Sequence, residues 1–294
     1  MSATQTSIQQ VHPPRSPQEI LPTMYDLKSE DLEEPGLPDE YHLWQAQLCS
    51  ATFAPPTHPP ERVLVASDLN LYYDPKHTGW YKRPDWYAVV GVDRLYEGRE
   101  PRLSYVFWQE GVRPMVAVEL LSPSTRNEDL GETQRGGQPP TKWEVYEKIL
   151  GIPYYIVFDR YQDELQVFEL TGGSYQPLTV TGSRVWLPAL ELGIGLWQGE
   201  YCGLERQWLR WYDEQGCWIP TSTEAPINRL LDMGLSVEQV AEALGLSVER
   251  VNEWRSSFSG IQQGLDDLNS GLARPLETFK QEMQQQHGIS SSED

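Results

Sequence analysis

The sequence predicts an α+β fold with strands of mixed direction, and three observations carry that expectation. Between residues 61 and 170, five short segments are rich in β-branched and aromatic residues and are separated by Gly, Pro and Asp. One helical stretch, "PPTKWEVYEKILG", falls between the third and fourth of them. The order is therefore strands, helix, strands, and not the strict alternation of a doubly wound sheet.

Taken in order, residues 1–39 are rich in Pro, Ser, Gln and acids and carry too little apolar surface to order alone, so they read as a disordered arm. A core domain is expected over 40–220. It opens with a short helix at "DEYHLWQAQLCSATF", where Leu43, Trp44, Gln47 and Leu48 suggest an apolar stripe, and "APPTHPP" stops it. The strands are "RVLVASDLNLYY", "WYAVVGV", "MVAVELL", "YYIVFD" and "ELQVFEL". The helix between the third and fourth has Pro140 near its start and Gly151 just past its end. Further strands are expected at "TGGSYQPLTV" and "SRVWLPALELGIGLW", and the Trp-rich "ERQWLRWYDEQGCWIP" reads as packing.

Residues 225–257 change character. In "LSVEQVAEALGLSVERVNEW", Ser236 and Gln239 form a capping box, Gly245 ends that helix and Ser247 caps the next, a helix-turn-helix-like unit. Its second helix offers only Arg250 and Arg255 against Glu249 and Glu253, which suits a protein partner better than DNA phosphates. A polar tail, 258–294, follows.

The formal charge of −20 over 294 residues argues against nucleic acid as a partner only if it is spread evenly. It is not: residues 61–170 hold 13 basic and 18 acidic side chains, leaving 10 and 25 for the flanks. Cys49, Cys202 and Cys217 match no zinc spacing and read as free thiols of a reducing compartment. With no leader-like apolar run and no stretch long enough for a span, a cytoplasmic protein without a membrane partner is expected. His12, His42, His58, His77 and His287 are scattered, and no nucleophile elbow, P-loop or zincin motif occurs. Oligomeric state has no signature in the sequence.

One residue asks for an explanation. Glu119 lies in the middle of the apolar run "MVAVELL", and an ionised carboxylate in a buried strand costs several kcal/mol, on the order given for buried ions, unless something takes up its charge. If the strand after "RPD" lies alongside, Asp85 approaches Glu119, and two hard oxygen ligands on adjacent strands suit Mg²⁺. The alternative is an ion pair with an arginine such as Arg113 or Arg126, with Asp85 as a plain strand-end acceptor. Asp68 and Asp129 read as structural carboxylates.

The pieces "RPD", "VAVELLSPST", "NEDL", "KWEVY", "LGIPYYIVFD" and "DELQVFEL", as an ordered set over the middle third, resemble the Uma-type restriction endonucleases, a bacterial branch of the PD-(D/E)XK nuclease superfamily. The resemblance implies a restriction-endonuclease-like mixed sheet with flanking helices. It also implies a Mg²⁺- or Mn²⁺-dependent endonuclease that hydrolyses a nucleic-acid phosphodiester, DNA in preference to RNA, with Asp85 and Glu119 as metal ligands. The superfamily's lysine, two residues after the glutamate, is Leu121 here, and Lys142 of "KWEVY" matches the position on the following helix to which the family moves it. The segment "GETQRGGQPP" before it departs from the pattern as an insertion. At about 100° per residue, Lys142 and Lys148 stand about 240° apart, so only one faces the sheet. Tyr146, Ile149 and Leu150 point to the face of Lys142. A catalytically inactive nuclease fold serving as a protein-interaction module is the rival reading, supported by the charge, by Leu121 and by the acidic helical unit.

Overall fold

The computed structural model describes residues 39–122, 125–133, 139–252 and 254–255. The N-terminal arm short of residue 39, the tail 258–294 and the middle half of the "GETQRGGQPP" insertion, residues 134–138, lie outside the described residues. The chain divides into units of 1–43 and 44–294, and of the first only the start of one helix is described, where Asp39 Oδ1 lies 2.8 Å from His42 Nδ1.

The extended segments form the strands β1 (Val63–Ala66), β2 (Leu71–Tyr72), β3 (Tyr81–Lys82), β4 (Trp86–Val90), β5 (Tyr105–Val106), β6 (Val116–Leu120), β7 (Tyr154–Asp159), β8 (Glu164–Thr171) and β9 (Ser174–Pro177). Beyond these come β10 (Arg184–Leu187), β11 (Leu192–Tyr201) and β12 (Leu204–Tyr212). The helices are α1 (Glu40–Thr52), α2 (Phe107–Glu110), α3 (Arg126–Asp129) and α4, which runs as Lys142–Glu144 and continues through a π turn, Val145–Leu150. Near the C-terminus stand α5 (Ala225–Asp232) and α6 (Val237–Leu244).

Six strands make one mixed sheet in the order β1-β4-β6-β7-β8-β9, in which only β6 and β7 run parallel. That parallel pair needs a crossover, and α3 and α4 supply it. The central strands β6 and β7 are buried along their whole length, which is why they read as continuous apolar runs and not as alternating ones. Tyr146 and Leu150 of α4 pack with Ala117, Tyr155 and Val157 in the core beneath. The fold is α+β with mixed sheets and flanking helices, as the sequence predicts.

Two helix faces differ from expectation. Ile149 is 43% exposed although it was placed with Lys142, because the π turn widens the helical repeat from 3.6 and rotates later residues out of phase. In α1 the expected stripe splits: Leu43 and Gln47 are exposed, Trp44 is half-buried, and Leu48 is buried on a side that also carries Gln45, Ala46, Cys49 and Thr52. Gln45 is buried because its amide behaves like a paired strand. Its Oε1 accepts from Leu209 N at 2.8 Å and its Nε2 donates to Leu209 O at 2.8 Å, which satisfies the free edge of β12 in the sheet β10-β11-β12.

The aromatic segments do pack. Phe53, just past α1, lies 5.3 Å from Trp86 of β4 and 5.0 Å from Trp211 of β12, centroid to centroid. The helices α5 and α6 share a small core of Ile227, Val237, Val240, Ala241, Val251 and Trp254. Ser236 and Gln239 make the expected capping box, and Gly245 caps α6 at φ 65°. Among the described residues no helix is long and apolar enough to cross a membrane, and no disulfide joins Cys49, Cys202 and Cys217.

Gln45→Leu keeps the bulk but leaves the buried Leu209 N–H and C=O without their side-chain partner. It should lower unfolding free energy by about 2 kcal/mol or more, read from urea denaturation.

Candidate active site

The antiparallel register of β4 and β6 pairs Ala88 with Val116, Tyr87 with Ala117 and Trp86 with Val118. The next rung would be Asp85 against Glu119, so two carboxylates come together at the end of the pair. Asp85 Oδ2 accepts the Leu120 N–H at 2.6 Å, and Asp85 N lies 3.5 Å from Glu119 Oε2. Backbone pairing alone thus fixes both carboxylates on adjacent strands.

Helix α4 delivers the cation. Thr141 caps it, its hydroxyl accepting from Glu144 N at 3.2 Å, while the Glu144 carboxylate accepts from Thr141 N at 2.9 Å. Glu128 Oε1 of α3 accepts from the first helical amide, Lys142 N, at 3.1 Å and also meets Lys82 Nζ at 3.2 Å. Gly131 follows α3 at φ 72°, and a Cβ there would stand 2.7 Å from the Trp143 ring, so only glycine lets α3 and α4 approach so closely. Lys142 Nζ consequently lies 3.0 Å from Glu119 Oε2 and 2.8 Å from Asp129 Oδ1. Tyr146, one turn on, donates its hydroxyl to Glu119 Oε1 at 2.8 Å.

Lys148 goes elsewhere. It is 56% exposed, with Nζ 2.9 Å from Glu147 Oε2 and 2.9 Å from Gly173 O. Neither arginine considered for Glu119 serves it in the hydrogen bonds seen: Arg126 is spent on Asp159, 2.6 Å away. Asp68, at φ 50°, pairs with Arg83 at 2.5 Å, a structural role.

Sequence reasoning missed Asp129 as a member of this cluster. It is fully buried, its carboxylate oxygens make no hydrogen bond of good geometry among the described residues, and its countercharge is the Lys142 ammonium. Its main-chain oxygen accepts from Tyr155 OH at 2.8 Å. The signal was present in "NEDL", two acids opening a short helix beside the migrated lysine, but only the folded α3–α4 corner gives it meaning.

Burial shifts every group here. Desolvation raises the Glu119 carboxyl well above its ordinary value, with the Lys142 ammonium pulling the other way and Asp129 and Asp85 adding to the rise. For Lys142 burial works downward, but the facing carboxylates Glu119, Asp129 and Asp85 outweigh it and keep the ammonium charged. Burial and the facing Glu119 hold the Tyr146 phenol protonated, so it remains a donor.

A mixed sheet with two strand-borne carboxylates and a lysine reaching in from a flanking helix defines a restriction-endonuclease-like protein. The family model for Uma2, described as "Putative restriction endonuclease", matches residues 19–204, and the chain belongs to that family. Among solved structures, the chain is similar to a putative nuclease belonging to DUF820 from Anabaena variabilis. The two are 12% identical over 53% of this chain and 76% of that one, with a TM-score of 0.37. No curated protein matches the chain.

Two outcomes follow for the protein kept in a metal chelator. Lys142→Ala strands buried carboxylates and should cost about 3–5 kcal/mol of stability, whereas Lys148→Ala should stay within about 0.5 kcal/mol, both by urea denaturation. The raised Glu119 carboxyl binds its proton more tightly folded than unfolded. Its contribution is therefore complete below the ordinary glutamate pKa and is lost as pH climbs through the elevated one. Glu119→Gln should flatten that part of the stability-versus-pH curve.

Proposed function

We propose that the chain is a metal-dependent nuclease hydrolysing a nucleic-acid phosphodiester, DNA in preference to RNA, with Asp85 and Glu119 as ligands of Mg²⁺ or Mn²⁺ and Lys142 as the catalytic cation. The observation that carries this reading is the Lys142 ammonium on Glu119, next to Asp85: a lysine and two carboxylates meet although the chain has leucine at position 121.

The residues fit such an ion in kind. The donors are hard carboxylate oxygens, and Asp129 adds a buried carboxylate with unmet hydrogen-bonding capacity. Among the described residues no three His, Cys, Asp or Glu side chains are grouped to hold a metal. Two protein carboxylates with water and phosphate completing the shell is the pattern Mg²⁺ accepts, since it dehydrates reluctantly. When bound, the ion would acidify a coordinated water and offset charge growing on the phosphodiester.

The chain's own residues do the rest. Leu120 N–H fixes the Asp85 carboxylate, and Tyr146 OH fixes one oxygen of Glu119. Lys142 is held charged between Glu119 and Asp129, and its ammonium would orient a water or take a non-bridging phosphate oxygen as negative charge builds.

The rival, a non-cutting fold that binds protein, draws on one observation of its own: the Lys142 ammonium already balances Glu119 and Asp129 internally. In the helical unit, Arg250 donates to Glu200 O and Arg255 to Asn252, which leaves that unit poorly equipped for phosphates and suits a protein partner at 225–257.

Millimolar Mg²⁺ or Mn²⁺ should raise the melting temperature, by about 2.7 kcal/mol of stabilisation at a hundredfold excess over Kd, and Glu119→Gln should abolish the gain. Lys142→Ala should lose about a hundredfold or more of cleavage, and Lys148→Ala almost none. No thermal response to either ion would count decisively for the non-cutting fold.

A further inference from the structure

Asp129 is a buried carboxylate to which the proposed chemistry gives no task. It is wholly inside the protein on α3, and its Oδ1 lies 2.8 Å from the Lys142 ammonium, closer than the 3.0 Å from that ammonium to Glu119 Oε2. Burying a carboxylate is costly, and a lysine already balanced by Glu119 gives no reason for a second one.

The backbone puts Asp129 there deliberately. Glu128 Oε1 accepts from Lys142 N at 3.1 Å, so two consecutive acids of α3 hold the two ends of one lysine, Glu128 its main chain and Asp129 its side chain. Asp129 is anchored at both of its own main-chain groups: its N–H donates to Thr125 O at 3.0 Å, and its carbonyl accepts from the Tyr155 hydroxyl at 2.8 Å. Tyr155 is a fully buried core residue, edge-on to the Trp143 ring that closes against Gly131. A carboxylate on so short a side chain from so fixed a backbone has one place to be, and that place is beside Lys142 Nζ.

Glu119, by contrast, has both oxygens engaged. Its Oε1 accepts from Tyr146 OH at 2.8 Å and its Oε2 from Lys142 Nζ at 3.0 Å. A second cation on Glu119 would meet an ammonium already there, and two like charges on one buried carboxylate repel. A lysine with Glu119 as its sole partner could yield only by standing uncompensated in low dielectric. With Asp129 in contact, the ammonium keeps a full countercharge while it releases Glu119.

We propose that Asp129 is a positioning residue: it holds the Lys142 ammonium at the site so that Glu119 can be given up to a divalent ion. The role rests on the nuclease reading above, and Asp129 acts through Lys142 and not as a ligand.

Isothermal titration calorimetry of the full chain with Mn²⁺ alone, without nucleic acid, tests it. Asp129→Asn keeps the shape of the side chain, removes its charge and leaves the Lys142–Glu119 pair to balance the core. It should raise the Kd for Mn²⁺ about ten- to a hundredfold, the usual cost of losing a partner that orients a metal site. Adding Lys142→Met removes the competing ammonium and should restore about tenfold of that loss. A purely structural Asp129 would lower the melting temperature of the metal-free protein and leave the Kd alone, and that result overturns the proposal. A loss that persists undiminished in the double variant makes Asp129 a ligand and overturns it too. Should Asp129→Asn alone fail to fold, the double variant decides, since it removes both charges of the pair: a Kd near that of the wild type supports the positioning role, and one about a hundredfold higher sinks it. Mn²⁺ binding that Asp129→Asn leaves untouched fells this inference alone, whereas a wild type that takes neither Mn²⁺ nor Mg²⁺ fells the nuclease reading and this inference with it.

Discussion

The ammonium of Lys142, set between the buried carboxylates of Glu119 and Asp129, is the interaction on which this structure turns. Without it two carboxylates would sit in low dielectric with no countercharge, a penalty of the same order as the whole stability of a domain. Much of the surrounding architecture serves to deliver that one atom. The β4/β6 register places Glu119, the Thr141–Glu144 capping box starts α4 at the right residue, and Gly131 lets the Trp143 ring close the corner. Tyr146 then secures the second oxygen of Glu119.

What the sequence made legible follows from which interactions are local. Asp85 and Glu119 could be paired on paper because strands alternate and because a carboxylate in an apolar run needs a reason. Lys142 could be separated from Lys148 because helical phase is simple arithmetic over six residues. The same arithmetic failed at Ile149, where a π turn breaks the 3.6 repeat, a change that no residue between Val145 and Leu150 announces. It failed in part in α1, where Leu43 and Gln47 face outward and the buried side takes in Gln45, which pairs with Leu209, 164 residues away. Asp129 and the Lys82–Glu128 pair share that limit: each matters only through a partner that folding supplies.

Trp211, in the segment read as packing, joins the strand tryptophan Trp86 behind the Asp85–Glu119 pair. Trp86 directly follows Asp85, is almost wholly buried, and donates its indole N–H to Ser50 Oγ at 2.9 Å. Phe53 and Trp211 flank it, so the start of β4 is gripped by α1 and β12. A carboxylate at a strand end is ordinarily free to fray. Here an aromatic anchor one residue on, and Leu120 N–H in front, hold it in place.

On the proposed nuclease reading, a net charge of −20 has to be met locally: at physiological ionic strength the Debye length is about 8 Å, so an exposed charge acts on a bound phosphate only within about that range. Near Asp85, Lys82 is paired with Glu128 and Arg83 with Asp68, so the cation of the proposed site is the lysine beside Glu119. Lys142 offsets the buried carboxylates of Glu119 and Asp129. On the proposed reading it is that internal balance, and not the surface charge of the chain, that decides whether a phosphate is accepted beside Asp85.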